Sequence, residues 1–349
     1  MTDIPSLLAA AAREQGNALP VWFMRQAGRS LPEYRAVREG IPMLESCRRP
    51  ELVTEITLQP VRRHDVDAAI FFSDIMVPLA AAGVELEIRA GVGPVIAEPI
   101  RTAQQIRALP DLDPGSIPDI AEAIRAIRAE LPPHKALIGF AGAPFTLASY
   151  LIEGGPSKDY ARTKGLMAAE PMLWDELCAK LARISATFLR VQIDAGAQAV
   201  QLFDSWVGSL APYDYATRVE PHSAQVLSRV ADVPRIHFGV GTGELLRLMG
   251  AAGADVVGVD WRVPLDEATR RIGPGRAVQG NLDPALLAAP WEVIAERTRD
   301  VIRAGAEAPG HIFNLGHGVP AGTDPDVLTR LVAFVHQEGP ALRAEALAR

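Results

Sequence analysis

Ala136-Leu137-Ile138-Gly139-Phe140 and Ala199-Val200-Gln201-Leu202-Phe203 are short apolar runs that bracket a stretch in which Leu173, Leu177, Leu181, Ile184 and Phe188 return at helical spacing. Runs of this length without strict alternation suit strands covered on both faces, and the three-and-four-residue recurrence suits an amphipathic helix. Strand, helix, strand is the unit of a parallel sheet. Working outward, further runs occur at residues 21–24, 67–72, 235–238, 255–259, 277–278 with their neighbours, and 311–315. Helix-like segments separate them, as with Leu245, Leu246, Met249 and Ala252.

Eight such units over most of a 349-residue chain predict an α/β fold, a (β/α)8 TIM barrel, rather than a doubly wound sheet split in two. No shift in composition marks a linker, so residues 1–349 read as one domain. The irregular stretch 83–116 contains Val84, Leu86 and Ile88 in alternation ahead of Gly91 and Gly93, which predicts a β-hairpin inserted after the second strand. A barrel places its chemistry on the loops that follow the C-terminal ends of its strands.

With 48% apolar and 22% charged residues, the chain can bury a large core, so disorder and a fibrous fold are excluded. Cys47 and Cys178 are the only cysteines, too few for a disulfide framework or a multi-cysteine metal centre, and a reducing, cytoplasmic setting is expected. A net charge of −7 without a basic cluster argues against nucleic acid and anionic membrane as partners. The Ala-rich run 6–12 lacks a basic leader and reads as a short helix, and no apolar run approaches the ~18 residues of a membrane span.

The residues that follow the runs are reactive types. Arg25 and Arg29 flank Gln26, Ala27 and Gly28, and two guanidiniums on a short loop can hold carboxylates or phosphates through paired hydrogen bonds. A structural pairing with Glu33 or Glu39 is the alternative. Asp74 follows Ile70-Phe71-Phe72-Ser73 and is expected to be desolvated unless it meets a cation or a ligand donor; otherwise it caps a helix. Asp204 and Ser205, Asp260, Asn281 and Asp283, and His317 between two glycines end later runs. His311 lies at the opposite end of its strand from His317, so the two cannot share a metal. Gly239-Val240-Gly241-Thr242-Gly243 imitates a dinucleotide fingerprint, but Glu244 stands where the third glycine belongs and would repel a pyrophosphate. None of the four lysines lies within an expected strand, which argues against a Schiff-base aldolase.

The segment Pro20-Val21-Trp22-Phe23-Met24-Arg25-Gln26-Ala27-Gly28-Arg29, continuing to Leu31-Pro32-Glu33-Tyr34, resembles the signature of the uroporphyrinogen decarboxylase family. Similar motifs follow in order: Phe71 to Ile75, Gly139 to Thr146 and on to Tyr150, Gln201 to Trp206, Gln279 to Pro284, and Phe313 to Gly318. Ser30 departs from the tyrosine the resemblance leads one to expect.

The resemblance implies a (β/α)8 barrel, a homodimer, and a decarboxylase. The enzyme would convert the four acetate arms of uroporphyrinogen III to methyl groups, giving coproporphyrinogen III without metal or organic cofactor. It assigns Arg25 and Arg29 to substrate carboxylates, with Gln26, Ala27 and Gly28 completing the loop. Asp74 would face the pyrrole N–H groups and stabilise the cationic transition state, and Tyr150, Ser205 and His317 would be further substrate contacts. The proton donor stays unassigned. Two other readings remain at this point: a cobalamin-linked methyltransferase, for which no zinc-binding thiolate with a nearby histidine is present, and a non-catalytic tetrapyrrole carrier, for which a central carboxylate has little use.

Overall fold

The computed structural model describes residues 4–14, 16 and 18–348. Among the described residues nine strands form: β1 (Ala68–Ile70), β2 (Leu86–Arg89), β3 (Gly93–Ile96), β4 (Ala136–Gly142), β5 (Ala199–Asp204), β6 (Arg235–Gly239), β7 (Val256–Gly258), β8 (Ala277–Leu282) and β9 (His311–Leu315). Seven of them build one parallel sheet in the order β1-β4-β5-β6-β7-β8-β9, while β2 and β3 pair antiparallel as the expected inserted hairpin. Every residue of β4, β8 and β9 is buried, because helices cover the sheet outside and side chains fill the barrel within. The connecting helices start where the sequence supplies proline, as at Pro50, Pro118, Pro144, Pro171, Pro212 and Pro325, whose fixed φ and missing N–H suit a first turn. The helix Pro171–Ala195 buries Leu177, Leu181, Ile184 and Phe188, the apolar face read from its spacing.

The run 21–24 does not become a regular strand. It makes one parallel bridge, Val21 to Phe313, yet it fills the gap between β9 and β1 and closes the barrel. Phe313 N–H donates to Pro20 at 2.8 Å on one side, and Asp67 N–H donates to Val21 at 2.8 Å on the other. Side chains supply much of the remaining ladder: Val21 N–H goes to Asp67 Oδ2 (2.7 Å), Phe23 N–H to Gln26 Oε1 (2.9 Å) and Met24 N–H to Asn314 Oδ1 (3.2 Å). The segment is thus a single bridge by its backbone bonds and an eighth stave by its place between β9 and β1. Inside the barrel the indole N–H of Trp22 donates to Gln279 (3.0 Å), whose amide donates to Gln201 (2.9 Å), so a run of side-chain hydrogen bonds crosses the core and ends at a Gln201 amide nitrogen with no acceptor among the described residues.

The seam has a titratable clasp. His336, on the helix Pro325–Leu347, places Nε2 2.8 Å from the same Asp67 Oδ2 that accepts the Val21 N–H. The Asp67 hydrogen bond raises the His336 pKa above its usual value near 6.5, outweighing burial. A raised folded-state value means that the contribution is complete below the unfolded value and is lost as pH rises through the folded one. His336→Gln is expected to lower stability by about 1 kcal/mol at pH 6, with the gap closing toward pH 9. Thermal unfolding of both proteins at the two pH values checks this, and a gap of constant size would rule the clasp out.

Candidate functional site

The C-terminal mouth of the barrel gathers residues from almost every strand. Arg25 adopts φ 60°, in the left-handed region, which turns the chain out of the seam. Gln26 holds that turn from below: fully buried, it accepts from Phe23 and donates to Ala68 O at 2.9 Å. Its side chain is spent on the loop's own support, so only its backbone could meet a ligand. Gly28 is required because a Cβ there would lie 2.8 Å from the Arg25 carbonyl oxygen. Arg35 clamps the far end by donating to Arg29 O at 2.6 Å and Ser30 O at 3.3 Å. Ser30 itself is buried, with no partner for its hydroxyl among the described residues.

Arg25 and Arg29 are exposed, and neither guanidinium forms an ion pair among the described residues. The structural alternative fails at Glu33, which instead meets Arg63. Two unpaired guanidiniums on a braced loop are an anion-binding arrangement. The Arg25 stem also packs on Gly318, where an added Cβ would come within 2.5 Å of Cδ.

Asp74 does both things the sequence left open. Oδ1 accepts the Met76 N–H at 2.9 Å and so caps the turn leading into the helix Val77–Ala81, whereas Oδ2 has no protein donor among the described residues. Burial raises its pKa above the ordinary carboxylate range, against the opposing pull of the Met76 N–H and the Arg25 cation. A carboxylate that is desolvated but only half hydrogen-bonded is primed for a ligand that brings donors. The buried Cys47 thiol lies beneath it, its pKa pushed up first by burial and then by Asp74.

Tyr150 belongs to the same neighbourhood: burial raises its pKa, Asp74 adds to the rise, and Arg25 opposes it. Its ring packs on Trp206 with centroids 4.0 Å apart, and Trp206 in turn packs on Tyr160 at 5.1 Å. Ser205 is half-buried beside Asp204, which is pinned by the Thr146 hydroxyl at 2.9 Å. His317 accepts the Gly318 N–H on Nδ1 at 2.6 Å, and burial followed by the Arg25 cation lowers its pKa. The neutral ring thus carries its proton on Nε2 and can donate there.

The floor was not singled out from sequence. Phe71, Phe140, Phe203, Phe238 and His317 form a row of rings with successive centroids 6.4, 5.4, 6.1 and 6.4 Å apart, crossing β4, β5 and β6. The signal was present, since Phe140, Phe203 and Phe238 each end an apolar run. The glycine-rich decoy is also explained: Gly241 N–H donates to Asp260 at 2.5 Å, and Glu244 pairs with Arg271 at 3.1 Å. Among the described residues, no group of three or more His, Cys, Asp or Glu is placed to hold a metal ion, and no helix is long and apolar enough to cross a membrane.

The profile of the family described as Uroporphyrinogen decarboxylase (URO-D) matches residues 2–338. A protein of Streptomyces griseus named uroporphyrinogen decarboxylase is 65% identical over 339 residues, covering 97% of this chain and 93% of its own. One of Nocardia farcinica with the same name is 61% identical, covering 97% of both chains. Among solved structures, a methyltransferase from Methanosarcina mazei superposes with a TM-score of 0.78 at 19% identity, covering 95% of this chain and 98% of that one. A B12-independent methionine synthase from a Shewanella species reaches 0.55 at 11% identity, covering 86% and 89%. Those two likenesses carry the barrel and nothing about the chemistry.

Proposed function

Since the chain belongs to the uroporphyrinogen decarboxylase family, we propose that the mouth just described carries out that family's reaction with Asp74 at its centre and Arg25 and Arg29 at its rim. The activity is decarboxylation of uroporphyrinogen in porphyrin biosynthesis, a carboxy-lyase reaction. The finer assignment is that each of the four acetate arms of the III isomer becomes a methyl group, with release of CO2 and without metal or organic cofactor.

The observation that carries it is the free Oδ2 of Asp74 on a desolvated carboxyl beside Arg25, whose loop presents two guanidiniums that form no ion pair among the described residues. Uroporphyrinogen presents four pyrrole N–H donors at its centre and eight carboxylates at its periphery, the complement of one central acceptor ringed by cations. The N–H groups replace the solvation that Asp74 has lost. A chain of net charge −7 repels a polyanion at long range, and Arg25 and Arg29 reverse that locally.

Decarboxylation needs an electron sink. Protonation of a pyrrole α-carbon supplies it: the ring becomes cationic, the C–C bond to the carboxylate breaks, and its electron pair flows into the ring as CO2 departs. The exocyclic carbon then takes a proton and the α-carbon loses one, leaving a methyl group and a neutral pyrrole. Asp74 stabilises the cation, and because that charge exists only after protonation, the interaction lowers the barrier instead of merely strengthening binding. Gly28 and Ala27 let the rim loop come close, Gln26 acts through its backbone, and Tyr150, Ser205 and the Nε2–H of His317 offer donors to substrate oxygens. The aromatic floor keeps water from the cation. We take residues 1–349 as one domain, working in the cytoplasm as a homodimer.

The test is anaerobic incubation of the purified protein with enzymatically generated uroporphyrinogen, with and without a strong chelator, resolving products by carboxylate number. Stepwise seven-, six-, five- and four-carboxylate products, insensitive to chelator, are expected. Binding without loss of carboxylate would leave a tetrapyrrole carrier in its place.

A further inference from the structure

Trp261 and Arg262 follow β7, a stretch from which only Asp260 was singled out by sequence. Asp260 is 2% exposed and organises this corner. Its Oδ1 accepts the Arg262 N–H at 3.0 Å, and its Oδ2 accepts both the Gly241 N–H and Arg262 Nη1, each at 2.5 Å. The Arg262 guanidinium also lies over the Trp261 ring, 4.1 Å from the centroid. One edge is held by a carboxylate and one face by an indole. Nε and Nη2 have no protein acceptor among the described residues, and the side chain is 51% exposed. A free surface arginine must give up rotamer freedom to bind; this one is held in place before a ligand arrives.

Its location matters as much as its rigidity. The Trp261 backbone nitrogen packs directly against Gly316, leaving no room there for a side chain, while the stem of Arg25 packs against Gly318. His317 therefore stands on a narrow glycine-flanked strap, with the loop carrying Arg262 on one side and the loop carrying Arg25 on the other. Both cations act on its imidazole.

We infer that Arg262 is a further carboxylate-binding residue of this mouth, taking a peripheral carboxylate of the tetrapyrrole across His317 from Arg25. The inference rests on the reading that the mouth binds uroporphyrinogen. That substrate has more carboxylates than Arg25 and Arg29 can pair, and a guanidinium offers five N–H donors, of which Asp260 uses one. Asp260 is the positioning residue behind it: its remaining bonds, to Gly241 and to the Arg262 backbone, fix the loop from which the guanidinium projects.

The experiment compares wild type, Arg262→Gln and Arg262→Lys for anaerobic turnover of uroporphyrinogen at low and high salt, with thermal unfolding alongside. For Arg262→Gln we expect KM to rise about tenfold with kcat within about twofold, and the salt dependence of KM to weaken. Arg262→Lys should restore the salt dependence but only part of the KM. A residue that merely anchors the loop would lower Tm and kcat and leave KM and its salt dependence as in wild type; that result overturns the inference. Equal KM values in wild type and Arg262→Gln overturn it too. If wild type itself releases no CO2, the functional reading fails separately, and equilibrium binding of uroporphyrin, the oxidised eight-carboxylate macrocycle, decides for Arg262. Weaker binding by Arg262→Gln supports the inference, and unchanged binding refutes it.

Discussion

Asp74→Asn is expected to lower kcat by about a hundredfold to a thousandfold while leaving KM within about threefold, the size of effect seen when a single preorganised electrostatic group is removed from a reacting centre. The substitution is clean because the cap survives: an asparagine oxygen can still accept the Met76 N–H that Oδ1 accepts now. What disappears is the charge at the other position, where an amide would present N–H groups to the pyrrole N–H groups. Stability should not fall. Burial raises the Asp74 pKa, so the folded state disfavours the charged form, and a neutral isostere removes that cost at neutral pH. Single-turnover kinetics, with thermal unfolding in parallel, checks both halves. A variant that keeps wild-type kcat, or that loses activity only through KM, would leave Asp74 as a helix cap and nothing more.

Arg25→Lys should lower kcat/KM by about tenfold to a hundredfold although the formal charge is kept, the equivalent of one charge-assisted hydrogen bond of about 1.5–3 kcal/mol. Lysine accepts the left-handed backbone at this position as readily as arginine does, and its stem can lie along Gly318, so the loop should hold its shape. The planar fork is lost, and one ammonium cannot pair both oxygens of a carboxylate in the same plane. Steady-state kinetics at fixed ionic strength is the measurement. Wild-type activity would show that charge alone suffices and that no clamp exists. Gly318→Ala reaches the same side chain from the opposite side: the added methyl would push the Arg25 stem aside, and a fall in kcat/KM without loss of stability is the expected companion result.

The strands of the sheet were legible because burial on both faces leaves continuous apolar runs, and the hairpin because Val84, Leu86 and Ile88 alternate before glycine. Residues 21–24 were read as a strand on the same grounds, and they occupy a strand's place. The N–H groups of Val21, Phe23 and Met24, however, go to Asp67, Gln26 and Asn314 side chains, partners that no local pattern announces. Gln26 shows the same limit from the other side. The resemblance placed it in the loop that meets the substrate, and the fold turns its side chain inward to hold that loop, leaving its backbone on the outer side. Arg25, Arg29 and Asp74 could be singled out as polar residues ending apolar runs. Ser205 and His317 could be singled out in the same way, but they had their roles as substrate contacts only through the family resemblance, and Tyr150, which ends no apolar run, was named by that resemblance alone. Arg262 was overlooked because its orientation depends on Asp260 and Trp261 acting together, a relation that exists only once the loops are folded.

The seam that closes the barrel joins segments far apart in the polypeptide: Met24 donates to Asn314, 290 positions later, and Gly318 supports Arg25. During synthesis the arginine loop leaves the ribosome long before the residues that fix its direction. A nascent chain lacking β9 has its cations but neither Gly318 beside them nor a closed sheet beneath. On the proposed reading, substrate capture has to wait for closure of the barrel, because Arg25 takes its direction only once β9 and Gly318 have docked against it.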